Sequence, residues 1–130
     1  PRAGPGARDT TNSALVERRG GAKNLLIGGR NDGTVLGGVR ATESAGFKAP
    51  NVIGVGINGT DAIEELKKSD TGFYGSMLLS ADASGYKTAT AMYEWVTTGK
   101  EPAKYTAMDE VTLITRANFQ EELTKIGLWK

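Results

Sequence analysis

Short apolar runs alternate with amphipathic stretches along the chain, which is typical of strands that alternate with helices. Strands are predicted where the sequence is mainly Leu, Ile, Val or aromatic, at Leu25–Ile27, Val52–Ile57, Phe73–Leu79 and Val111–Thr115. Helices are predicted between and around them, over 10–20, 32–45, 61–68, 82–98 and 118–126. Gly46 and Gly99 follow two of these helices and serve as stop signals.

Polar residues at the predicted helix starts suggest where each helix begins. Asp61 followed by Glu64 fits a capping box. Asp82 is expected to cap the 82–98 helix, and Asn118 is expected to cap the last helix. The 82–98 helix carries an apolar stripe at helical spacing, formed by Tyr86, Ala89, Tyr93 and Val96 and widened by Met92 and Trp95.

This order of elements predicts an α/β fold with a parallel sheet in three layers. The strands are continuously apolar rather than alternating, which favours a sheet covered on both faces. Residues 24–130 carry this pattern, whereas residues 1–23 are rich in Gly, Pro and Arg and form a separate basic segment. The chain begins at Pro1, so we expect a processed or truncated product.

Composition removes several kinds of chemistry. The chain of 130 residues has no His and no Cys, which excludes a Ser-His-Asp triad, imidazole metal sites and thiolate nucleophiles. No apolar run is long enough to cross a membrane. The net charge of +1 predicts no nucleic-acid partner. The side chains of the pairs Glu64-Glu65 and Glu121-Glu122 are expected to be solvated. We expect that the protein uses no cofactor and is not an enzyme.

Candidate binding residues follow two strands directly. Arg30 and Asn31 come after the first strand, and Asn58 and Asp61 come after the second. Ligands of parallel sheets bind at this carboxyl edge. Asn31 and Asn58 lie 27 residues apart, close to one strand-helix-strand repeat, and each amide both donates and accepts hydrogen bonds, as sugar hydroxyls require. Asn and Asp are also common helix caps and turn formers, so the residues alone favour capping over ligand binding at these positions, Asp61 included.

A second motif indicates a different ligand. Gly54, Gly56 and Gly59 form a G-x-G-x-x-G sequence between a strand and a helix, and Asp82 follows at the distance of a ribose-binding acid. Since only three residues precede Gly54, the strand must pass through the glycines, which weakens the nucleotide-binding interpretation.

Several longer segments resemble periplasmic sugar-binding proteins of bacterial ABC transporters. These segments are Asn31–Thr42, Gly46–Lys48, Ile53–Gly59, Thr71–Ser76, Gly85–Lys87, Tyr93–Val96, Val111–Arg116 and Asn118–Leu123. The resemblance implies a type I periplasmic-binding fold, two lobes that close on a monosaccharide such as L-arabinose, a membrane permease as partner and a periplasmic location. Asn31, Asn58 and Asp61 match sugar-contacting positions of the second lobe, so the resemblance favours binding over capping at these positions.

Two departures from the family pattern modify this expectation. Arg30 occupies a position where the arabinose-type pattern has Met, which alters the pocket. The chain also matches only the C-terminal part of such a receptor, and the basic segment 1–23 matches it poorly. The 82–98 helix belongs to the other lobe in this family. We therefore expect weak sugar affinity for the chain alone, and self-association or a partner fragment that covers the apolar helix face.

Overall fold

A computed structural model describes residues 21–107 and 111–129. The described residues divide into two compact units, one formed by residues 21–78 and 112–129 and the other by residues 79–107 and 111. The predicted helix over 10–20 and most of the basic segment 1–23 lie outside the described residues.

The first unit is built on a four-stranded sheet in the order β1-β2-β3-β4. Its strands are β1 (Leu25–Gly28), β2 (Val52–Asn58), β3 (Phe73–Leu79) and β4 (Val111–Thr115). β1 pairs with β2, and β2 with β3, in parallel. All four predicted strands are confirmed, as is the α/β class.

Helices follow the strands as the alternation predicts. They are α1 (Asp32–Ser44), α2 (Ile63–Leu66), α3 (Ala81–Thr98) and α4 (Phe119–Lys125), with a 3-10 turn at Ala49–Asn51. α1 ends where Gly46 takes a φ of 88°, and the Phe47 N–H then reaches back to the Thr42 carbonyl at 3.0 Å. Gly99 ends α3 in the left-handed conformation. Both predicted glycine stops are confirmed.

The predicted starts of α2 and α3 are wrong. The start of α4 is at the predicted residue, but the side chain of that residue does not cap the helix. α2 begins only at Ile63, with Ala62 as its N-cap and no side-chain cap, so Asp61 and Glu64 form no capping box. α3 is capped by Ser80, whose hydroxyl accepts from the Ala83 N–H, whereas Asp82 lies in its first turn. Asn118 does occupy the N-cap of α4, but its side chain bonds backward along the chain.

The core of the first unit lies between the sheet and helices α1, α2 and α4. Its fully buried members include Val35 and Val39 of α1, Phe73 of β3, Ile114 of β4 and Leu123 of α4. Apolar residues on alternate positions of the strands, such as Leu26, Ile53 and Tyr74, remain exposed. The expectation that both faces of the sheet are covered is therefore wrong for the described residues. Helix α1 packs directly against β2. Because α1 follows β1 in the chain, its N-terminus lies at the carboxyl end of the sheet.

The second unit contains α3. The predicted helix is confirmed as one continuous element. Its apolar stripe is not buried, because Tyr86, Tyr93 and Val96 are 75%, 70% and 81% exposed. Met92 and Trp95 are also exposed.

Candidate functional site

The sheet register brings the two candidate asparagines to the same edge. In the β1–β2 ladder, Leu25 lies beside Val52 and Gly28 beside Val55, an offset of 27 residues. Asn31 and Asn58 have the same offset and follow the end of that ladder. Parallel strands end at one edge, so both side chains belong to the carboxyl end of the sheet.

A buried carboxylate joins the two asparagine segments. Asp32, the first residue of α1, has no exposed surface. Its Oδ2 atom accepts a hydrogen bond from the Gly59 N–H at 2.8 Å, and its Oδ1 atom accepts from the Ser76 hydroxyl at 2.5 Å. Asn31 precedes Asp32 and Asn58 precedes Gly59, so the asparagines flank the two ends of one hydrogen bond.

The environment of Asp32 changes its acidity. Burial raises the pKa of its carboxyl above the ordinary value, and the Asp61 carboxylate acts in the same direction. Hydrogen bonds from Ser76, Gly59 and the Ala62 backbone offset part of this effect. Composition and spacing gave no sign of this role. The only available hint was an acidic residue at a helix start that Asn31 already caps.

Asn31 combines the two roles that the sequence left open. It is the N-cap of α1, and its Oδ1 atom accepts from both the backbone N–H and the hydroxyl of Thr34, each at 2.8 Å. The cap uses only the oxygen of the amide. The Nδ2 group of this exposed residue is not required for capping, so capping and ligand binding are compatible.

Asn58 stands in an unusual backbone conformation. Its φ is 117°, the only positive value among the described residues other than glycine, and Gly59 follows with φ 92°. Its Nδ2 group donates to the Thr60 hydroxyl at 3.2 Å. Backbone strain of this kind persists where the surroundings impose it, commonly at functional sites.

The other two candidates lie close by in sequence and are both exposed. Arg30 directly precedes the capping asparagine. Asp61 lies in the turn after β2, near enough to Asp32 to affect its pKa. The four predicted residues therefore belong to the two chain segments that Asp32 connects.

The glycine motif serves packing rather than a phosphate loop. Gly54 and Gly56 lie inside β2 on the side that faces α1. A Cβ at Gly54 would come within 2.7 Å of Val39, and one at Gly56 would collide with Asp32. These glycines allow α1 to approach the strand, so the turn that a dinucleotide needs is not formed by them.

One of the glutamates expected in solvent is buried instead. Glu65 accepts hydrogen bonds from Arg40 at 2.6 Å, Lys68 at 2.7 Å and Thr71 at 2.7 Å. Burial alone would raise the pKa of Glu65, but the bonds from Lys68 and Thr71 and the charge of Arg40 outweigh it, and the pKa is lowered. Adjacent Glu64 is exposed, so the prediction was right for only one member of the pair. This cluster ties α1 to α2 and is structural.

Residues 6–122 match the family described as periplasmic binding proteins and sugar binding domain of the LacI family. The chain belongs to this family. The matched range includes most of the basic segment 1–23.

Individual members of the family give the same result. The chain is 57% identical over 125 residues to an L-arabinose-binding periplasmic protein of Escherichia coli strain K12, covering 95% of this chain and 38% of the relative. It is 39% identical over 116 residues to an ABC transporter L-arabinose-binding periplasmic protein of Azospirillum brasilense, covering 88% and 34%. The chain thus spans roughly a third to two fifths of the length of these curated relatives.

A solved structure of a galactofuranose-binding protein has the same fold. It aligns with a TM-score of 0.73 at 22% identity, covering 92% of this chain and 40% of the other. The predicted type I periplasmic-binding fold is therefore confirmed.

Two further features bear on the site. In the part of the chain that the structure describes, no helix has the length and apolar character to cross a membrane. Over the same residues, no group of three acidic side chains is placed to hold a metal ion.

Proposed function

We propose that this chain is the part of a periplasmic solute receptor that binds a monosaccharide through Asn31, Asn58 and Asp61. The observation that carries the proposal is that both asparagines flank the Asp32–Gly59 hydrogen bond. Their amides offer donors and Asp61 offers acceptors, which matches the paired donor and acceptor character of ring hydroxyls. Arg30, one residue from Asn31, is a further candidate contact.

The ligand is a pentose or hexose, with L-arabinose as the first candidate, since the Escherichia coli and Azospirillum brasilense relatives are both named for it. We infer that the receptor acts in the periplasm as a binding component rather than an enzyme, and that it delivers sugar to an ABC permease in the membrane. The three site residues supply only part of the hydrogen bonds that a buried sugar needs. Affinity of this chain alone is therefore expected to be weak.

Calorimetric titration at high protein concentration tests the proposal. L-arabinose, D-galactose and D-fucose are compared with ATP and NADH. Saturable, weak binding of at least one sugar supports the proposal. Binding of a nucleotide in preference to every sugar would overturn it and restore the glycine-motif interpretation.

A second candidate function is association through α3. The exposed face of Tyr86, Tyr93 and Val96 is the observation that favours it, because apolar patches of this kind commonly mark interaction sites. The occupant proposed here is a second copy of this chain. Light scattering that gives the mass of a dimer supports this candidate, whereas a mass near 13.7 kDa at all concentrations counts against it.

A further inference from the structure

We infer that Asp32 is the positioning residue of the candidate sugar edge. It holds the Asn58-Gly59 turn against the start of α1 and thereby sets the placement of Asn58 relative to Asn31. The effect on sugar binding rests on the proposed function above, whereas the effect on the turn does not.

The carboxylate of Asp32 bonds to groups outside its own helix. Asn31 already caps α1, so Asp32 is not needed for that purpose. Its oxygens bond instead to Gly59 after β2 and to Ser76 in β3. These partners lie 27 and 44 residues away in sequence. One side chain therefore connects α1 with two neighbouring strands.

Glycine residues in and after strand β2 leave space for the Asp32 carboxylate. Gly56 faces Asp32, and a Cβ at this position would come within 3.0 Å of the Asp32 Cα as well as meeting its carboxylate. Gly59 takes a φ of 92°, which glycine adopts without strain, and in this conformation its N–H meets Oδ2. The two glycines make room for Asp32 and supply its hydrogen-bond donor.

The positive φ of Asn58 connects this anchor to the site. A non-glycine residue keeps such a conformation only where neighbouring contacts impose it. The peptide N–H that follows Asn58 belongs to Gly59, and its bond to Asp32 holds the chain directly after Asn58 in the arrangement that has φ 117°. Loss of the carboxylate would allow Asn58 to return to negative φ and carry its amide away from Asn31.

Solution NMR of the full 130-residue chain tests this inference. The amide proton of Gly59 is followed from neutral to acidic pH, because a proton bonded to a carboxylate shifts when that carboxylate is protonated. The charged side chain that acts on Asp32 is Asp61, whereas the hydroxyl and backbone partners are uncharged. The expected midpoint lies above 3.8, the ordinary value for an aspartate, because burial raises the pKa of Asp32.

The variants are Asp32→Asn and, as a matched control, Asp70→Asn, an exposed aspartate before β3. Asp32→Asn should abolish the Gly59 titration and weaken L-arabinose binding at least tenfold, while Asp70→Asn changes neither. An unchanged Gly59 titration in Asp32→Asn would overturn the inference. So would a lost titration with wild-type sugar affinity. Failure of the wild-type chain to bind any sugar would overturn the proposed function. The Gly59 titration would then still test whether Asp32 holds the turn.

Ser76→Ala provides the second variant if circular dichroism shows that Asp32→Asn does not fold. It removes a hydrogen bond that lowers the pKa of Asp32 and keeps the bond to Gly59. The Gly59 midpoint should therefore move to higher pH. A midpoint that stays where it is in the wild type would contradict the assignment of Asp32.

Discussion

The Oδ2 atom of Asp32 lies 2.8 Å from the backbone nitrogen of Gly59 and closes a loop of 27 residues with one buried hydrogen bond. Asn31 and Asn58 lie one residue before its two ends. This bond holds the two asparagine segments together at the carboxyl edge of the sheet, as the proposed sugar binding requires.

Asn31→Asp should weaken sugar binding without loss of stability. Aspartate caps a helix as well as asparagine does, so the bond to Thr34 is kept and the melting temperature stays within error. The amide donor is lost, which costs about 1 kcal/mol, or roughly fivefold in affinity. Asn24→Asp, an exposed asparagine directly before β1, is the control and should bind sugar as the wild type does. Equal affinity in both variants would remove Asn31 from the site.

Asn58→Gly should bind sugar more weakly yet fold at least as stably as the wild type. Glycine relieves the strain of φ 117°, which is worth about 1 kcal/mol, and it removes the amide. Asn51→Gly, directly before β2, relieves no strain and should lose about 0.5 kcal/mol. Urea denaturation distinguishes the two. A clear loss of stability in Asn58→Gly would show that the asparagine side chain, rather than the backbone, holds this turn.

Gly56→Ala should destabilise the protein by about 2 kcal/mol, because the added Cβ displaces Asp32. Gly28→Ala is a matched strand control, since a Cβ there has nothing within 4 Å. Denaturation curves for both variants measure the difference. Similar stabilities for the two would mean that β2 and α1 separate easily, contrary to the packing described above.

The pH dependence of stability should reflect Glu65. Its pKa is lowered in the folded state, so its contribution is fully present above the ordinary value of 4.5 and is lost as the pH falls through the folded value. Asp32 acts with the opposite sign, because its raised pKa favours the folded state at low pH. Urea midpoints measured at a series of pH values should therefore fall less steeply on the acid side in Glu65→Gln.

At neutral pH, Glu65→Gln should cost about 2 kcal/mol through weaker bonds to Arg40 and Lys68. Glu64→Gln breaks only an exposed pair with Lys67 and should cost about 0.5 kcal/mol or less. Equal costs would show that burial gives Glu65 no special role.

Sequence periodicity predicts the strands and α1 well because the apolar runs of the strands and the apolar stripe of α1 meet in one core. The same runs wrongly suggest a sheet buried on both faces, since Leu26, Ile53 and Tyr74 are exposed. Periodicity also fails around α2, where the Gly59 and Ala62 backbones are engaged by Asp32 from another element. This tertiary contact replaces the local cap expected from Asp61, and the helix shortens to Ile63–Leu66. The burial of Glu65 is hidden for the same reason, since its partners Arg40 and Thr71 lie 25 and 6 residues away. The candidate ligand positions stay a prediction from their place after the strands, whereas no pattern in the sequence indicates the bonds of Asp32 to Gly59 and Ser76.

Two-dimensional NMR of the uniformly labelled chain, titrated with L-arabinose, tests the central claim most directly. The account predicts saturable shifts in the side-chain amide signals of Asn31 and Asn58 and in the Gly59 backbone signal. Asn24 and Asn51, at the opposite ends of the same strands, should not respond. Saturable shifts confined to residues away from the carboxyl edge of the sheet, or no shifts with L-arabinose, would contradict it.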